Sequence, residues 1–129
     1  MKAVDTNILV RLIVRDESVQ VAIAREVLAS GDILILPTVL LECEWVLRSI
    51  YALSRKRIAL SMKALCGLNN VHVVSADTIA AVLARYAETG DFADLMHVAL
   101  AQELHVAAFV TFDRDLSIAD VSELPIELV

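Results

Sequence analysis

Residues 91–113, DFADLMHVALAQELHVAAFVTFD, contain a helix, a strand and an acid at a critical end of each. Asp91-Phe92-Ala93-Asp94 opens a helix after the break at Gly90. That helix is apolar nearly all round, at Leu95, Met96, Val98, Leu100, Ala101 and Leu104, which predicts deep burial. Residues 107–112 then become β-branched or aromatic and read as a buried strand that stops at Asp113. A helix feeding a buried strand is the unit of a parallel sheet. It puts Asp113 beyond a strand's carboxyl end and, through a crossover, brings Asp94 to the same end.

The flanking sequence repeats this alternation. Residues 2–4 are extended and stop at Asp5-Thr6-Asn7; residues 7–14 and 17–29 read as helical, the second stopping at Ser30-Gly31. Residues 33–36 are β-rich up to Pro37, and Thr38 is placed to cap a helix over 39–52 whose apolar positions Val39, Cys43, Val46, Leu47 and Ile50 share a face. A helix over 54–68 begins with Arg55-Lys56-Arg57. A strand over 71–74 precedes a helix capped by Asp77 and reaching about residue 88, and residues 124–129 read as an edge strand. The expected fold is α/β: a mostly parallel sheet covered by helices on both faces, as one domain over 1–129.

Composition narrows the function. Eleven Lys plus Arg against 17 Asp plus Glu give a net charge of −6, which excludes a generic nucleic-acid coat, so any nucleic-acid chemistry needs a local device. Apolar residues are 58% of the chain, with three Gly and two Pro, which excludes a disordered linker. The uncharged run 33–41 contains Pro37 and falls far short of the ~20 residues of a membrane span. A cytoplasmic protein without membrane attachment is expected, with Cys43 and Cys66 as reduced thiols in apolar helices.

Asp5 and Asp113 both fall at carboxyl ends of strands, and Glu42 lies early in the helix that follows another strand, at the rim of its apolar face. Carboxylates drawn together with Asp94 would raise one another's pKa unless a cation neutralises them. An oxygen-only donor set favours Mg²⁺ or Mn²⁺, and such a site suits phosphodiester hydrolysis. Each acid also has an ordinary reading. Asp91 and Asp94 can cap a helix and complement its dipole, Glu42 can be a rim residue, and Asp113 or Asp115 can cap a turn.

Taken in order, Val4-Asp5-Thr6-Asn7, Glu42 in a helix, Asp91-Phe92-Ala93-Asp94 heading a helix and Thr111-Phe112-Asp113 ending a strand resemble the PIN-domain ribonucleases. Within them the likeness is to the VapC-type toxins of bacterial toxin–antitoxin pairs. The resemblance covers essentially the whole chain. It implies a three-layer α/β/α fold around a sheet of about four or five strands. It also implies that Asp5, Glu42, Asp94 and Asp113 form a catalytic Mg²⁺ or Mn²⁺ site for cleaving single-stranded RNA. Thr6 and Thr111 would support that site and Asn7 would position Asp5 by hydrogen bonding. Asp91 and Asp115 each lie close to a motif acid, and either could be a fifth oxygen donor; Asp91 is assigned a secondary role and Asp115 a surface one. The same resemblance implies a homodimer and a cognate antitoxin that occludes the acids with a basic side chain.

Other residues have two readings each. Leu41, Trp45 and Ala52 form a second apolar strip opposite the core face of their helix, either a partner surface or a face covered by the next helix. His97 either approaches the acids or is a hydrogen-bonded core residue; Arg11, Arg15 and Arg114 either contact RNA phosphates or form solvated ion pairs. With aromatics at 5%, stacking platforms are few. Two other functions compete. An aspartate-based phosphotransfer domain is disfavoured because Asn7 stands where a second Asp belongs. A noncatalytic protein-binding module is disfavoured by the presence of all four acids.

Overall fold

Apolar runs too short to stand alone satisfy their backbone groups only side by side, and helical connections between them dictate parallel pairing. The computed structural model describes residues 1–118 and 123–129. Its elements are β1 (Lys2–Ala3), α1 (Thr6–Val14), α2 (Ser18–Ala29), β2 (Ile33–Ile35), α3 (Pro37–Ser49), α4 (Arg55–Cys66), β3 (Val71–Val73), α5 (Ala76–Glu88), α6 (Phe92–Glu103), β4 (Phe109–Thr111), α7 (Arg114–Ile118) and β5 (Ile126–Leu128). The α/β class with parallel strands is as expected. The strands, however, divide into a parallel sheet in the order β1-β2-β3 and a parallel pair β4-β5. Lys2 lies opposite Ile33, Ile33 opposite Val71, and Phe109 opposite Ile126. β1 offers only two laddered residues before the chain turns into α1, which leaves little edge for a further strand.

β2 is central, and its buried positions Ile33 and Ile35, two apart and so on one face, meet helices. Ile33 and Ile35 belong to one cluster with Leu40, Cys43 and Leu47 of α3, Ile58 and Met62 of α4, Ile79 of α5 and Met96 of α6, each 2% exposed or less. Burying each large side chain of this kind contributes roughly 1.5–3 kcal/mol. A smaller cluster of Val98, Leu116 and Leu124, joined by Phe109 and Ile126, supports the β4-β5 pair.

Several local expectations are corrected. Thr38 does not cap α3: Pro37, which lacks an N–H and has a preset φ, occupies the first helical position, so the cap is Leu36, which has no side-chain acceptor. Asp77 sits inside the first turn of α5, and the cap is Ser75 in the left-handed region. The strand read as buried is not: Val110 is 57% exposed and Phe112 86%, because a two-stranded ladder over a small cluster leaves alternate residues facing solvent. Helix α6 is buried at Leu95, Met96 and Val98 but ends exposed at Leu104. Among the described residues no helix is long and apolar enough to cross a membrane.

Candidate active site

Three of the acids singled out in the sequence cap helices. Asp5, after β1, accepts the Ile8 N–H on Oδ1 at 3.4 Å. Asp91 accepts the Asp94 N–H on Oδ1 at 3.0 Å and so caps α6. Asp113 accepts the Asp115 N–H at 2.9 Å and the Leu116 N–H at 3.4 Å, again on Oδ1, at the head of α7. The partial positive charge of a helix N-terminus favours a carboxylate at each position. Each leaves its Oδ2 without a hydrogen bond among the described residues, so capping and binding a cation are compatible roles.

The hydroxyl Oγ1 of Thr111 accepts the Asp113 N–H at 2.9 Å, which fixes the turn from β4 to the acid. Thr6 is buried directly behind Asp5 in the chain. Asn7 is exposed, and among the described residues it makes no hydrogen bond to Asp5; the backbone of Ile8 does that instead.

Asp94 lies in the first turn of α6, half-buried. Burial first, then the Asp91 and Asp113 carboxylates, push its carboxyl above the ordinary value, against an opposing pull from His97. Asp94 is therefore within electrostatic reach of both Asp91 and Asp113, although Asp113 follows a different strand. Glu42 is exposed on α3 and lines a groove of about 350 Å³ with Asp91, Arg48, Trp45 and His97. His97 is thus a surface residue of that groove and not a core histidine. The described contact of the Asp5 carboxylate is its own cap, and none ties it to the other acids.

The sequence reading missed Glu44. This carboxylate is 4% exposed and holds Arg48 (Nε to Oε1 2.7 Å, Nη2 to Oε2 3.5 Å) while accepting the Tyr86 hydroxyl hydrogen at 3.0 Å. Tyr86 in turn lies under the Arg55 guanidinium, 4.9 Å from ring centroid to Cζ, and meets Phe92 edge-on at 5.0 Å. Arg55 donates to the carbonyls of Tyr86 and Gly90 at 3.0 and 2.6 Å. The connection that delivers Asp91 and Asp94 is thereby fastened to α3 and α4. The spacing of Glu44 and Arg48, four apart on one helix, was the available signal.

Arg11 is engaged by Asp16 and Gln20 at 2.7 Å and by Tyr51 at 3.0 Å, the ion-pair reading of that residue. Arg15 donates to the Leu12 carbonyl. A separate groove of about 830 Å³ between α4 and α5, walled by Ala59, Leu60, Ala80 and Leu83, contains none of the four motif acids.

Among the described residues, no three His, Cys, Asp or Glu side chains stand close enough to hold a metal ion as they are. The donor chemistry nevertheless fits a hard divalent cation: three carboxylates each with an uncommitted oxygen, and a fourth, Asp94, whose ionisation its acidic neighbours oppose. A cation would relieve that repulsion. Neither a curated protein nor a solved structure matches the chain. The family model described as the PIN domain, a nuclease family whose members usually use divalent metals, matches residues 2–122, and the chain belongs to that family.

Proposed function

We propose that this PIN-domain protein is a Mg²⁺- or Mn²⁺-dependent endoribonuclease that hydrolyses phosphodiester bonds in single-stranded RNA. In this reading it is the toxin of a toxin–antitoxin pair, acts as a homodimer, and is restrained by an antitoxin that covers the acids. The observation carrying the proposal is the match to a nuclease family over residues 2–122, in a chain whose half-buried Asp94 lies within electrostatic reach of Asp91 and Asp113. Asp5, Glu42, Asp94 and Asp113 would hold the metal. When bound, it supplies the positive charge against which negative charge grows on the phosphorus oxygens and the leaving group.

The protein's own residues do the remaining work. The caps of α1, α6 and α7 hold Asp5, Asp91 and Asp113 in fixed rotamers, and Thr111 fixes the turn that presents Asp113. The depth of Asp94 excludes part of the water that would otherwise screen the acids.

The test is incubation of total cellular RNA with purified wild type and Asp94→Asn, each in EDTA, Mg²⁺ and Mn²⁺, after confirming that no antitoxin copurifies. Cutting that needs metal and disappears in the variant is expected. Cutting that persists in Asp94→Asn or in EDTA would overturn the reading.

A further inference from the structure

We infer that the face of α3 beside the acids is a nucleotide subsite, in which Trp45 stacks on a base and Arg48 takes the phosphate of a single-stranded RNA. The inference rests on the ribonuclease reading and adds to it the means by which an acidic protein holds a polyanion.

Thr38, Glu42, Trp45 and Arg48 follow one another along α3 at helical spacing and line the groove whose other wall carries Asp91 and His97. A groove made only of carboxylates would repel a phosphate, and here Glu42 and Asp91 face it. Arg48 is the guanidinium on that wall. Its Nε and Nη2 are held by Glu44 from beneath while the side chain stays 51% exposed, and no hydrogen bond among the described residues uses its Nη1. The buried acid therefore acts as a positioning residue: with Tyr86 donating to it from α5, Glu44 holds the guanidinium in one orientation before any ligand arrives. An arginine fixed in this way contacts a phosphate with little further loss of side-chain freedom.

Trp45, one turn earlier on the same face, is 53% exposed and is not covered by α4. Single-stranded nucleic acids are held by this pairing of a cation with an exposed aromatic face. Trp45 is the aromatic that lines this groove; Tyr51 is engaged by Arg11 and Asp16, Tyr86 is in the core, and the exposed Phe112 lies outside the groove. A protein partner would use the same indole, but it would not need a guanidinium fixed beside the carboxylates of a nuclease.

Trp45 is the only tryptophan of the chain, so its fluorescence reports on this face alone. The protein is titrated in EDTA with a mixed-sequence single-stranded RNA of about ten nucleotides, reading Trp45 emission, and anisotropy of labelled RNA for Trp45→Ala. Quenching that saturates with RNA is expected. Arg48→Ala should weaken binding about fivefold or more and flatten the salt dependence by about 0.7 in log–log slope, and Trp45→Ala should weaken it about fivefold or more. Arg48→Lys keeps the charge and guards against misfolding of the alanine variant; it should bind between the two.

The subsite is overturned, with the ribonuclease reading intact, if wild type cuts RNA with Mn²⁺ while RNA leaves Trp45 emission unchanged and Trp45→Ala and Arg48→Lys bind and cut as wild type does. It is also overturned if emission follows protein concentration and ignores RNA, which would make the face a contact between copies. A wild type that neither binds nor cuts RNA in any metal removes both readings together.

Discussion

The Tyr86 hydroxyl donates to Glu44 Oε1 across 3.0 Å, joining α5 to α3 inside the protein beneath the acids. Burial and the neighbouring Glu44 carboxylate both push the ionisation of this phenol upward, so it remains a donor at any pH at which the protein is handled. Removing it leaves a carboxylate that is 4% exposed with Arg48 as its remaining partner. Tyr86→Phe keeps the ring against Phe92 and Arg55 and is expected to cost about 1.5–3 kcal/mol, the range for a hydrogen bond to a charged group. Urea unfolding monitored by circular dichroism measures it, and an unchanged midpoint would show that the bond does not stabilise the fold.

Gly90 sits at φ +97° immediately before the cap of α6, with its carbonyl taken by Arg55. A Cβ there would meet Leu95 Cδ1 at 3.0 Å, and Leu95 is itself buried. Gly90→Ala combines a backbone conformation that L-residues rarely adopt with that contact, and is expected to destabilise by about 1–2 kcal/mol. Because the strain falls next to Asp91, cleavage should drop even at temperatures where the variant is fully folded. Activity equal to wild type in a folded Gly90→Ala would separate this turn from the site.

These two residues also mark where the sequence was legible. Gly90 and Asp91-Phe92-Ala93-Asp94 carry their meaning locally: a break, a cap and an acid in the first turn follow from residue type alone, and the observed cap bond agrees. The parallel α/β alternation was legible for the same reason, since each element has its own periodicity. The role of Tyr86 was not, because it depends on Glu44, 42 positions earlier, and on how α3 and α5 pack. The division of the strands into a sheet and a separate pair is likewise a tertiary property that Phe109, Val110 and Thr111 do not encode. The core reading of His97 did not hold, because the nearly all-apolar pattern of its helix hid which side meets solvent.

The two thiols give a prediction that does not depend on function. Cys43 is fully buried, and burial, followed by Cys66 and the acids Glu44 and Glu42, pushes its thiol up to about 12; burial pushes Cys66 up to about 11. Thiolate is the reactive form, so near pH 8 both should resist iodoacetamide in the native protein and react promptly in urea. Cys66, which lines the α4–α5 groove, should be the first to label as pH rises. Rapid labelling of Cys43 in the folded protein would contradict its burial.

Asp94 connects stability to the site. Its folded-state pKa lies above the unfolded value because burial, Asp91 and Asp113 disfavour its charge, so the folded state binds this proton more tightly. The contribution of that group to stability is therefore fully present below the unfolded carboxylate pKa and is lost as pH rises through the raised value. Above that raised value the ionised Asp94 is a burden on the metal-free protein, and there Asp94→Asn should melt higher than wild type. The advantage should vanish on acidification, where wild-type Asp94 is protonated as well. Mn²⁺ reverses the order: at about 100 times its dissociation constant a ligand adds roughly 2.7 kcal/mol to the form that binds it, so wild type should rise past the variant. Melting both proteins at pH 3 and pH 7.5, with EDTA and with Mn²⁺, measures all of this at once. A variant that is less stable than wild type in EDTA at neutral pH would mean that Asp94 is held by a favourable interaction, and the crowded-acid account of the site would fall.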